Sequence, residues 1–122
     1  MYKPLNVFGE PLEPCGMDPI TGFYRDGYCN SGIDNPALHT VCILVTEEFL
    51  AFSKAAGNDL STPIPEYRFM GLKAGDRWCL ALGNFFKAYK AGKAPKIYLR
   101  STHQVVLEYI SIEALQLFAL DL

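Results

Sequence analysis

Residues 40–57, TVCILVTEEFLAFSKAAG, decide how this chain folds. Thr40 to Val45 are apolar on both faces and rich in β-branched side chains, which suits a central strand better than one at an edge. Thr46 stands where a helix N-cap belongs. Glu47 and Glu48 then occupy the first turn, where carboxylates favour the positive end of the helix dipole, and Phe49, Phe52 and Ala56 recur on one face until Gly57 ends the element.

Downstream, NDLSTPIPEY is turn chemistry, and Pro63 and Pro65 disfavour helix in the residues before them. GLKAGDRWCLAL reads as a tight turn at Ala74 and Gly75 leading into a short strand, Arg77 to Leu80. A second helix is predicted from about Leu82 to Ala91, with Leu82, Phe85, Phe86 and Tyr89 at helical spacing and Gly92 and Pro95 as stop signals. KIYLRS alternates as a strand, Thr102 opens a single helical turn, and Ser111 caps a last helix carrying Ile112, Leu115 and Ala119.

Upstream, the chain as far as Pro36 is dense in Gly, Pro, Asp and Asn, which deny a long helix or strand. An ordered loop with short strands is expected, its apolar residues Leu5, Val7, Phe8, Phe23 and Tyr24 packing on the sheet. The order of elements is mixed rather than strictly βαβ. It predicts one α+β domain over residues 1–122, with a small, mainly antiparallel sheet, two to three helices and a long ordered N-terminal loop region.

A chain of 122 residues that is 50% hydrophobic and 20% charged buries a core without a staple, roughly two-thirds of its unfolded surface being removed from water. Eleven basic against thirteen acidic side chains, with no block of like charge, supply no phosphate-neutralising stripe, so nucleic acid is not an expected partner. MYKPLNVFGEPLEP has prolines and glutamates where a signal peptide places its apolar stretch, and no apolar run approaches a membrane span. These features predict a cytoplasmic protein, in which thiols stay reduced.

Four cysteines, Cys15, Cys29, Cys42 and Cys79, then serve as buried hydrophobes, metal ligands or nucleophiles. Cys15, Cys29, His39 and Cys42 are the residue types zinc takes. They include no C-x-x-C pair, and His39 and Cys42, three apart on a strand, reach one metal only if the backbone bends at His39. A Cys/His nucleophilic pair is the second reading. Cys29, in the glycine-bounded loop GYCNSG, is its best nucleophile, whereas Cys42 and Cys79 have apolar neighbours and read as core.

DPITGFYRDG adds Asp18, Asp26 and Arg25, the last able to clamp a carboxylate or phosphate through its planar fork, and GNDLSTP adds Asp59 beside Ser61 and Thr62. The plainer reading is that such side chains bond their own turns. The glycines follow no phosphate-loop or dinucleotide pattern, and no cofactor is called for. Trp78 and the stripe of Phe85, Phe86 and Tyr89 read as packing.

The segments NVFGEPLEPC, DPITGFYRDGYC, HTVC, EFLAFSKAAGNDLSTP, GLKAGDRWC, APKIYLRSTH and IEALQLFALDL, in that order from about Leu5 to Leu122, resemble the family known as domain of unknown function 2237. The resemblance implies that Cys15, Asp18, Arg25, Cys29, His39, Cys42, Asp59, Trp78, Cys79 and His103 are typical family positions, and it carries no activity with it. Ala81 and Phe85 stand where relatives often show Cys and Trp.

The leading reading is a small polar-ligand site, thiol- or acid/base-assisted if it is catalytic, where the N-terminal loop meets the start of the central strand and the GNDLSTP loop. In it Arg25 orients an anionic group and Cys29 is nucleophile or polar wall. His39 is general base or donor, and Asp18 or Asp59 holds His39 or a ligand hydroxyl. The alternative is a non-enzymatic binding or assembly module whose polar loop residues are structural; a structural zinc site is the third.

Overall fold

The computed structural model describes residues 4–32, 34, 37–67 and 69–121. Strand β1 (His39–Leu44) runs antiparallel to β2 (Arg77–Ala81), with helices α1 (Glu47–Ala55), α2 (Leu82–Lys90) and α3 (Ile112–Gln116) around them. The fold is α+β with a small antiparallel sheet, as the element order predicts. Cys42 stands opposite Cys79 and Ile43 opposite Trp78, and the register shifts between His39 and Val41.

Strand β1 is held on both edges. On the side away from β2, Leu44 N–H donates to the Lys96 carbonyl and Tyr98 N–H to that of Cys42, and Ile43 bridges Ile97. Val41, Cys42 and Ile43 are accordingly buried, which is why the sequence there is apolar on both faces. Thr46 caps α1 by accepting from Phe49 N–H at 3.1 Å, and Ser111 caps α3 by accepting from Ala114 N–H at 3.2 Å. Phe49 of α1, Phe85 of α2 and Leu115 of α3 meet Ile43 and Leu80 in one core.

KIYLRS is not a strand. Only Ile97 makes ladder bridges, to Ile43 and Ala119, and Leu99–Ser101 form a 3-10 turn. The Asp121 carboxylate accepts from Leu99 N–H at 2.6 Å and Arg100 N–H at 3.0 Å, taking the donors a strand partner would need. Thr102 opens no helix either. Its hydroxyl accepts from Cys42 N–H and donates to the Tyr98 carbonyl, while His103 Nδ1 caps the turn at Gln104–Glu108 by accepting from Val105 N–H.

The N-terminal segment pairs along residues 100–104, which lie beside β1. Buried Asn6 accepts from Phe8 and Glu10 N–H and donates to the Arg100 carbonyl, while Val7 enters the core. Phe8 and Phe23 are exposed, Phe23 touching the sheet only through His39 at the start of β1. Pro36, the expected end of this loop, lies outside the described residues. No helix among the described residues is long and apolar enough to cross a membrane.

Candidate functional site

The loop from Cys15 to Cys29 is built on its own backbone. Cys15 and Gly16 N–H both donate to the Gly27 carbonyl, Gly27 N–H to that of Thr21, and Arg25 N–H to that of Gly22. Gly22 has φ +99°, and a Cβ there would collide with the Tyr28 carbonyl oxygen, so the turn admits no side chain. Buried Thr21 fastens the loop to the sheet by accepting from Cys79 N–H at 2.9 Å. Arg25 is held with φ +55°, a left-handed conformation uncommon for a side-chain-bearing residue.

Two disulfides tie this loop to the sheet: Cys15 to Cys42 of β1, and Cys29 to Cys79 of β2. All four residues are buried, with Tyr98 packed against them. Two readings of the sequence are thereby corrected. The cysteines are not unligated hydrophobes, and Cys29 carries no free thiol, because its sulfur is bonded to Cys79. Nor does the four-residue zinc set assemble as expected. The backbone does bend near His39, yet the sulfurs of Cys15, Cys29 and Cys79, not His39, lie within 4.8 Å of one another.

Outside this sulfur cluster, Arg25 and Trp78 separate two adjoining cavities. The larger, about 630 Å³, is walled by Ile20, Phe69, Met70 and Trp78, with Asp18, Arg25, Lys73 and Asp76 as its polar groups. The smaller, about 160 Å³, is lined by Gly22, Phe23, Arg25, His39, Trp78 and Cys79. The Arg25 guanidinium carbon lies 5.6 Å from the centre of the Trp78 ring, in cation–π range, and Phe69 packs on the same indole at 5.5 Å.

Sequence-predicted Asp18 and Arg25 thus share the larger cavity, and Arg25 and His39 the smaller. Asp59 lines neither. One of its oxygens accepts from Ser61 N–H and hydroxyl and from Thr62 N–H, the other from the Thr62 hydroxyl, and these donors hold the carboxyl well below the usual carboxylate range. His39 stacks on Phe23 with ring centres 5.8 Å apart. Burial, and then the positive charge of Arg25, push its pKa below 6.5, so near neutral pH it presents a neutral imidazole.

Sequence reasoning missed Trp78, which is only partly buried and lines both cavities, and also Lys73, Asp76 and the rim residues Tyr67 and Met70. One signal was present. Alternation along a strand sends Trp78 and Cys79 to opposite faces, so a buried Cys79 leaves the indole on the other side.

A family model described as an uncharacterised protein conserved in bacteria (DUF2237) matches residues 5–119. The chain belongs to that family. In this family member the matched span contains both disulfides and both cavities. No curated protein matches the chain.

Proposed function

We propose that the domain binds a small organic anion with a flat or apolar body in the larger cavity. The observation that carries this reading is the pairing of Arg25 with Trp78. A guanidinium held over an indole leaves N–H groups available for a carboxylate or phosphate, while the ring and Phe69 offer an apolar floor. The two ion pairs among the described residues, Lys93 with Glu48 and Arg100 with Glu10, leave Arg25 outside them. A cavity of about 630 Å³ suits a small metabolite. Lys73 adds positive charge, whereas one Asp76 oxygen is engaged by Lys73 N–H at 2.8 Å. Asp18 orients a ligand donor, and neutral His39 serves as hydrogen-bonding wall of the adjoining cavity. Catalysis by Cys29 forms no part of the proposal for the oxidised form.

Trp78 is the only tryptophan, so its fluorescence reports on the site directly. Titrating the oxidised protein with aromatic and aliphatic carboxylates and phosphate esters should give saturable changes that Arg25→Ala shifts to roughly ten- to hundredfold higher concentration. Absence of any saturable change across both classes, with the same result by calorimetry, would sink the reading.

A second reading rests on the rim. Tyr67 and Met70 are 72% and 80% exposed beside Ile20, an apolar edge suited to a protein partner in an assembly module. Tyr67→Ser with Met70→Ser would abolish such an association while sparing ligand binding. On compartment, two closed disulfides favour a non-reducing setting for this form, and in the cytoplasm the same sulfurs would stand as thiols.

A further inference from the structure

We infer that the four cysteines form a redox-gated zinc site: two disulfides when oxidised, a tetrahedral four-thiolate zinc centre when reduced. A Zn–S bond of about 2.3 Å sets the sulfurs of a tetrahedral site about 3.8 Å apart. The sulfurs of Cys15, Cys29 and Cys79 already lie within 4.8 Å of one another; that of Cys42 falls outside this group and is tied to it through its bond to Cys15. Closing Cys15 on Cys29 and Cys79 takes at most about 1 Å, each bonded pair opens to about 3.8 Å, and Cys42 moves in as the fourth ligand.

The backbone supports this gathering independently of the bonds. Cys42 and Cys79 are cross-strand partners on β1 and β2, so the sheet presents two ligands side by side. Cys15 is fixed by its N–H bond to the Gly27 carbonyl, and the loop that ends at Cys29 is fastened through Thr21. Four thiolates on one zinc leave a net charge of minus two in a buried place. Two cations stand at its edges: the Arg77 guanidinium is 4.0 Å from the Tyr98 ring that packs on the cysteines, and Arg25 shares a cavity wall with Cys79.

The chemistry balances with a dithiol reductant. Two dithiol molecules give four electrons and four protons to the two disulfides, becoming two cyclic disulfides and leaving four thiols. Binding one zinc ion then forms four Zn–S bonds and releases four protons. Excess cyclic disulfide reverses both steps: four protons return to the sulfurs as zinc leaves, and the four thiols then pass four electrons and four protons to two cyclic disulfides, which become dithiols.

The test uses the full chain reduced with a phosphine, freed of reductant under argon, and titrated with cobalt(II) as an optical stand-in for zinc. The expected result is one equivalent per chain with thiolate charge-transfer and tetrahedral d–d bands, displaced by zinc. Excess cyclic disulfide should then release one zinc per chain and restore both disulfides, read by peptide mass. No stoichiometric uptake, or bands of a six-coordinate ion, would overturn the inference. Circular dichroism followed through the titration keeps the test valid if the reduced chain unfolds: zinc should restore the folded spectrum, and failure to do so would also overturn it. Cys79→Ser should lose the four-thiolate spectrum while His39→Ala retains it; the opposite pattern would reject this ligand set. The ligand titrations above use oxidised protein, so the two proposals fail separately.

Discussion

Cys42 on β1 and Cys79 on β2 face each other across the sheet, yet they are not bonded to one another; each reaches out to a different end of one loop, Cys15 and Cys29. The closures interleave, with sequence separations of 27 and 50. They clamp the loop carrying Arg25 against the strand carrying Trp78, so the geometry of the cavity depends on the sulfurs behind it.

Replacing Cys29 and Cys79 together by Ala should cost about 4 kcal/mol, and replacing Cys15 and Cys42 about 3.5 kcal/mol, from the loop entropy returned to the unfolded chain. Because the loops overlap, the two losses should not add. Urea unfolding in metal-free buffer measures this. A loss below about 1 kcal/mol for either pair would mean that the core is sufficient without staples, as composition alone suggests.

Arg25→Lys should weaken binding of a small anion roughly tenfold, and Arg25→Ala roughly ten- to hundredfold, since hydrogen bonds to a charged group contribute about 1.5–3 kcal/mol. Calorimetry on both variants distinguishes a planar fork from mere positive charge. Equal affinity for Lys and Arg would show that only charge matters.

Gly22→Ala should destabilise the protein by at least about 1 kcal/mol, through its positive φ and the collision with the Tyr28 carbonyl. Hydrogen exchange should speed up first at Gly27 and Arg25, whose amides close this loop. Unchanged protection there would contradict the assigned turn.

His39 binds its proton less readily folded than unfolded, its pKa being lowered from 6.5 by burial and by Arg25. Between the folded value and 6.5 the unfolded chain holds more protons, so stability present above 6.5 is lost as pH falls through that window. Thermal unfolding between pH 7.5 and pH 5 should show this loss, and His39→Asn should flatten it. A variant with the wild-type slope would assign the dependence to other groups.

The sequence by itself determined the elements whose cause is local: the doubly covered strand at Thr40 to Val45, the Thr46 and Ser111 caps, and helix α2 between Ala81 and Gly92. Each depends on periodicity or on a cap within a few residues of it. Arg25, Asp18 and His39 were legible as chemistry because their residue types are informative wherever they stand. Tertiary structure decided the rest. Four cysteines allow three pairings, and only the β1–β2 register with the folded-back loop selects Cys15 with Cys42 and Cys29 with Cys79. Asp121, distant in sequence, turns KIYLRS away from a strand by taking two of its amides. Asp59 spends its lone pairs on its own turn, and Trp78 gains its place beside Arg25 because Cys79 points the other way. These outcomes depend on which distant groups arrive within about 3–6 Å of one another, a distance that hydrogen bonds and ring contacts require and that spacing along the chain does not encode.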